Sequence, residues 1–207
     1  MSIEELCALP VADLAALDSA LFLWATFPQL PEALRLIEAW GFTYKSVAFV
    51  WLKKNKKADS WLYGLGFWTR GNAEICLLAT KGHPKRQAAD IHQFIISPIE
   101  AHSKKPDETR DKIVALMGDL PRVELFARQT PPGWAVWEKE VAPTIPDFGF
   151  SGSPQNQRFC GERRSNGAER DFVNSANLSQ SSGFCGRRYY AEILSRSMKK
   201  PQSGQKI

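Results

Sequence analysis

Nothing in this chain spaces cysteine or histidine for a metal. Cys7, Cys76, Cys160 and Cys185 contain no C-x-x-C pair, and His83, His92 and His102 do not accompany them at zinc-like intervals. That pattern excludes a zinc finger or ribbon, and no metal site is expected. Long apolar runs are also missing. None approaches the ~20 residues needed to span a bilayer, so no membrane partner is expected. Thiols this scattered, in a chain without a signal peptide, fit a reducing compartment, and the sequence predicts a soluble cytoplasmic protein. Cys76, inside the apolar run Ile75 to Leu78, reads as a small core residue.

The first two thirds lack net charge. Residues 1–141 hold 17 Lys and Arg against 17 Asp and Glu, so the whole excess of +5 and the pI near 9.1 come from the last third. That last third in turn lacks tryptophan, since all seven stand before residue 142. A basic balance points to an acidic partner such as nucleic acid. The two shifts coincide near Val141. They divide a Trp-rich α/β domain over 1–141 from a basic, Ser/Gly-rich extension over 142–207 that is expected to be disordered. From Pro143 onward periodicity is lost, and Tyr189 to Leu194 predicts at most a brief helix. A nucleic-acid-binding arm and a frameshift product are the other readings of that extension.

Along the chain, Ser2 followed by Glu5 is a capping-box signature for a short opening helix. Leu21 to Ala25 is a nearly continuous apolar run, as expected of a strand buried on both faces. Pro31 to Trp40-Gly41 reads as a helix of about ten residues, and Tyr44 to Leu52 reads as the next strand. Strand, helix, strand in this order is the unit of a parallel α/β sheet. Ile75 to Thr80 and Gln93 to Ser97 follow as further buried strands. Pro131 to Trp137 reads as a turn and a short strand with both tryptophans on one face.

Between these elements, Lys53, Lys54, Lys56 and Lys57 form a charge run that fits either a solvated turn or phosphate contacts. Trp61, Tyr63, Phe67 and Trp68 follow at once, then Arg70 and Glu74. Basic side chains interleaved with aromatics suit a nucleic-acid groove, with salt links for phosphates and flat faces for unstacked bases.

The stretch Glu100 to Arg128 carries the clearest chemistry. Pro106, Asp107 and Glu108 predict a helix start. Ile113, Leu116 and Met117 share one face, and Gly118 with Pro121 ends the helix before the strand Val123 to Phe126. Ligands of open α/β sheets sit beyond the carboxyl ends of strands, which would aim Arg128 into such a crevice. Spacing alone fits a solvated arginine as well.

Four blocks in order, LFLWAT from Leu21, GFWTRGNAEICLLATKG from Gly66, SKKPDE from Ser103 and VELFAR from Val123, resemble the N6-adenine methyltransferases named after the catalytic subunit of the mRNA N6-adenosine methyltransferase, in particular their bacterial and phage members. The resemblance covers roughly residues 1–141. It implies a Rossmann-like fold with a permuted order, S-adenosylmethionine as cofactor, and methylation of the exocyclic amine of adenine in DNA or RNA. It further implies that Lys105 contacts the cofactor, that Arg128 meets its ribose, and that Trp68, Arg70 and Glu74 face the target base.

Two departures qualify this. No Asp-Pro-Pro-Trp block occurs in the 207 residues, although in the family that block orients the target amine. The opening Met1 to Leu6 resembles a segment that relatives carry after it. The chain is therefore expected to be incomplete at its amino end, with no catalytic residue of its own and no methyltransferase activity alone. Trp137-Glu138-Lys139-Glu140 also stands where relatives carry Gly-Asn after the tryptophan, and Glu138-Lys139 cannot copy the donor and acceptor of a neutral amide. The alternative is a non-catalytic nucleic-acid-binding partner or pseudo-enzyme subunit.

Overall fold

The apolar run at residues 19–25 becomes the strand at the middle of the sheet. In the computed structural model, which describes residues 1–66, 68–101, 104–137 and 190–195, β1 (Ser19–Ala25) is buried along its whole length. Two short helices precede it, α1 (Ile3–Cys7) and α2 (Val11–Leu14). Ser2 and Glu5 close the expected capping box, with Ser2 N donating to Glu5 Oε2 at 2.7 Å and Glu5 N to Ser2 Oγ at 3.2 Å. A short 3-10 turn and α3 (Leu30–Ala39) lead to β2 (Thr43–Lys54), β3 (Ala73–Lys81) and β4 (Phe94–Pro98). Then come α4 (Glu108–Met117), β5 (Arg122–Leu125), β6 (Ala135–Trp137) and β7 (Tyr190–Ser195).

The sheet order is β4-β2-β3-β1-β7-β5-β6. β3 and β7 run antiparallel to their neighbours, whereas β2 with β4 and β5 with β6 pair in parallel. β4, β2, β1, β5 and β6 therefore all point the same way. The strand-helix-strand unit β1-α3-β2 keeps its parallel sense, but β3 lies between its two strands. The sheet is mixed and not uniformly parallel.

Helices cover both faces. Leu6, Val11, Leu36, Ile37 and Trp40 pack on Leu21, Leu23 and Leu77 on one side, where the Trp40 indole donates to the Leu6 carbonyl at 2.9 Å. Ile113 and Met117 of α4 pack on Phe22, Trp24, Phe49 and Cys76 on the other.

Three local expectations are corrected. β4 is an edge strand with Phe94 and Ile96 exposed, and only Ile95 is fully buried. Trp134 joins the α4 side while Trp137 packs with the α3 side, because alternation in a strand sends residues three apart to opposite faces. Residues 190–195 form a strand and not a helix. Ala191, Ile193 and Leu194 are buried, so this part of the basic extension belongs to the core. The rest of 142–207 lies outside the described residues. The physical reason is the slot itself: β1 and β5 would otherwise each present a row of unpaired backbone groups.

This slot brings a carboxyl inside. Glu192 is 1% exposed and stands directly opposite Glu124, and its Oε2 accepts no hydrogen bond from the described residues. Burial, then the Glu124 carboxylate, push the Glu192 carboxyl well above its ordinary value, against the opposing pull of Arg110. The native chain therefore keeps this proton, whereas the unfolded chain releases it near pH 4.5. The associated stability is complete below about 4.5 and is lost as pH rises toward the raised native value. Glu192→Gln is expected to flatten this fall, read as urea midpoints at mildly acidic and mildly alkaline pH. An unchanged pH slope would contradict it.

Candidate functional site

Because β1, β2, β5 and β6 run together, their carboxyl ends meet one edge of the sheet, the place where open α/β sheets hold ligands. β3 enters at that same edge, with Ile75 opposite Ala25 and Glu74 opposite Trp51. Glu74 is the hub there. Lys53 at the end of β2 donates to its Oε1 at 2.6 Å, and Lys105, just before α4, donates to its Oε2 at 2.5 Å. The three side chains are only 15%, 12% and 13% exposed for Lys53, Lys105 and Glu74.

Tryptophans floor this bridge. The Lys105 ammonium stands 5.6 Å from the Trp24 ring centroid and the Lys53 ammonium 4.9 Å from that of Trp51, distances at which a cation is attracted by the ring face. Burial alone would raise the Glu74 carboxyl, but the Lys105 and Lys53 ammoniums hold it below its ordinary value. The Trp24 Nε1 and the Thr109 Oγ1, both buried, have no hydrogen-bond partner among the described residues. The open Trp24 donor thus belongs to the ring over which Lys105 stands.

Beyond β5 the backbone turns sharply. Phe126 has φ +63°, a left-handed conformation that is a true outlier for a bulky side chain. Two contacts hold it there: its N–H donates to the Trp137 carbonyl at 2.8 Å, and its ring meets Trp137 edge-on at 5.6 Å. Ala127 is buried and Arg128 emerges exposed at the carboxyl edge. The strand thus ends at Leu125, one residue earlier than expected.

Arg110 joins the two halves. Its guanidinium grips Glu124 in bidentate fashion, Nε to Oε2 at 2.7 Å and Nη2 to Oε1 at 3.0 Å, and donates to Asp107 at 2.5 Å. Asp107 also accepts from Lys104 at 2.8 Å and from Gln129 at 2.9 Å. The loop of Arg128 is thereby tied to the start of α4, next to Lys105. Burial opposes ionisation of Asp107, but Lys104 and Arg110 keep its carboxyl below the usual range.

The expected site residues thus divide. Lys53, Glu74 and Lys105 come together, and Arg128 lies beyond β5 on the same edge. Lys54 pairs with Asp59 and stands over Trp61, Lys56 and Lys57 are exposed, and Arg70 covers Tyr63. The four lysines therefore do not form one patch, since Lys53 turns inward to Glu74. Trp68 is 93% exposed. Ser103, Phe67, Glu138 and Lys139 lie outside the described residues. Sequence reasoning gave Asp107 only a helix-start role and Phe126 only a strand end, and it did not single out Arg110. Glu124 was a readable signal, an acid inside the apolar run Val123 to Phe126 and on the face opposite Val123 and Leu125.

No helix among the described residues is long and apolar enough to cross a membrane. A family model described as MT-A70 matches residues 1–140. Among known proteins, the chain is 35% identical over 143 residues to the type II methyltransferase M.MunI of Mycoplasma sp, which covers 68% of this chain and 58% of that relative. It is 31% identical over 130 residues to an N(6)-adenosine-methyltransferase MT-A70-like protein of Arabidopsis thaliana, covering 62% and 18% of the two chains. A Drosophila melanogaster N(6)-adenosine-methyltransferase MT-A70-like protein is 30% identical over 138 residues, covering 65% and 22%. The chain therefore spans just over half of the bacterial relative and about a fifth of the others.

Proposed function

The chain belongs to the MT-A70 family of methyltransferases, and on that premise we propose that it contributes the S-adenosylmethionine side of a site that methylates the N6 amine of adenine in DNA or RNA. The observation that supports the reading is that Lys105, just before α4, is held by Glu74 at the carboxyl edge, while Gln129, the neighbour of Arg128, donates to Asp107 at the start of the same helix.

The donor set fits that cofactor. Lys105 offers an ammonium on a buried stem to a methionine carboxylate, and Arg128 offers guanidinium donors to ribose hydroxyls. When bound, the cofactor supplies an electrophilic methyl group. Glu74 holds the Lys105 ammonium in place, and Lys53 also pairs with Glu74, so that Glu74 remains paired if Lys105 turns to a ligand. Trp68, Arg70, Lys54, Lys56 and Lys57 occupy the neighbouring loop and serve the nucleic acid. No residue is assigned to orient the target amine, because the sequence contains no Asp-Pro-Pro-Trp block, and positioning supplies much of the rate in such transfers.

The test is thermal unfolding with and without S-adenosylmethionine. At a hundredfold excess over Kd a native-state ligand stabilises by about 2.7 kcal/mol, a rise of roughly 5–10 °C for a chain of this size. The same preparation is expected to transfer no methyl group to adenine-containing oligonucleotides by itself. No thermal shift at any cofactor concentration would overturn the cofactor assignment, and robust transfer would overturn the view that the amine-orienting groups are missing.

A further inference from the structure

The loop between β2 and β3 exposes its aromatic rings and backs two of them with cations. The turn is held by Leu62 N donating to the Lys53 carbonyl at 2.9 Å and Asn55 N to the Ser60 carbonyl at 3.0 Å, which folds Trp61 back over Lys54 with 5.6 Å between ammonium and ring centroid. Further along, the Arg70 guanidinium lies 4.7 Å from the Tyr63 ring centroid. The two limbs of the loop are pressed together between these pairs. A Cβ on Gly64 would stand 1.8 Å from the Gly71 carbonyl oxygen, so only glycine allows that approach. Rings on such a clamped loop are splayed outward, and Trp61 and Tyr63 remain 51% and 72% exposed.

We propose that Trp61 and Tyr63 form a stacking shelf for unpaired nucleotides of a single-stranded nucleic acid, with Lys56 and Lys57 meeting its phosphates. The inference rests on the adenine-methylating reading above and adds the form in which the substrate is bound. Charge decides the occupant: residues 53–71 carry five basic side chains and one acid, Asp59, and only Lys53 among the bases is drawn inward to Glu74. An exposed apolar surface with that bias suits a polyanion with flat apolar faces. Each ring has a cation against one side, which leaves its other side for a base; Lys54 is already paired with Asp59, so Lys56 and Lys57 supply the positive charge beside the backbone. In a duplex the base faces are hidden by stacking, so only unpaired nucleotides can use such a shelf.

The experiment is fluorescence anisotropy of the full chain with labelled single-stranded DNA about ten nucleotides long, with RNA of the same sequence, and with the DNA duplex. Single strands are expected to bind more tightly than the duplex. Trp61→Ala and Tyr63→Ala should each weaken single-strand binding about tenfold without changing its salt dependence, and Trp61→Phe should recover most of the loss. Lys56→Ala with Lys57→Ala should instead reduce the slope of log affinity against log salt by about 1.4. A preference for either sugar supports the shelf and identifies the nucleic acid. Duplex binding as tight as single-strand binding would overturn it, as would ring variants that bind like the wild type. Loss of cofactor binding with the shelf intact would defeat the methyltransferase reading and not this site.

Discussion

Arg110→Met is expected to destabilise the chain by about 3–5 kcal/mol, because removing one partner of a buried ion pair leaves the other charge uncompensated. Glu124 is 0% exposed and Arg110 8%, and the two share both arms of the guanidinium fork. Glu192, which faces Glu124 across the β5-β7 pairing, holds its proton and offers no cation to replace the guanidinium. Without the guanidinium, two carboxyls occupy one dry row with no cation between them. Methionine keeps the stem volume, so the effect reports charge and hydrogen bonding more than packing. Glu124→Gln added to Arg110→Met should recover part of the loss, since a neutral amide is cheaper to bury than a lone carboxylate. Urea unfolding of the three variants gives the values. A cost below about 1 kcal/mol would contradict the view that Glu124 is left buried without a compensating charge.

Lys105→Met should weaken S-adenosylmethionine binding by about 10- to 100-fold, the worth of one charge-assisted hydrogen bond of roughly 1.5–3 kcal/mol. Its effect on the fold should be much smaller. Glu74 keeps Lys53 at 2.6 Å, so the carboxylate is not orphaned, and the methionine still covers Trp24. Glu74→Gln separates the alternatives from the other side: it leaves Lys105 charged but unguided, so affinity falls less than for Lys105→Met. If Lys105→Met lowered stability as much as Arg110→Met and left affinity untouched, Lys105 would be a structural ion-pair partner only.

How far the sequence spoke differed between elements for physical reasons. β1 was legible because a strand buried on both faces must be apolar throughout, and α3 because its proline start and glycine stop are local signals. The insertion of β3 between β1 and β2 was not legible, since pairing partners are chosen by long-range packing. β7 was hidden by composition: Ala191, Glu192, Ile193 and Leu194 hold too little apolar surface to read as core. They are buried because the slot between β1 and β5 needs a strand. At the site, the motif positions Lys105 and Glu74 were readable from the resemblance, but their bridge to Lys53 was not, because it joins residues 21 and 31 apart in sequence. Phe126 gave no warning either. Its left-handed backbone is imposed by Trp137, a contact that spacing along the chain does not encode.

The central claim is that Lys105 and Arg128 hold one cofactor across the start of α4. Calorimetric titration of S-adenosylmethionine into the wild-type chain and into Arg128→Ala tests it most directly. Saturable binding to the wild type, weakened about tenfold or more in the variant for the loss of guanidinium hydrogen bonds, is the predicted result. Equal affinities would remove Arg128 from the site, and no heat of binding in the wild type would contradict the account as a whole.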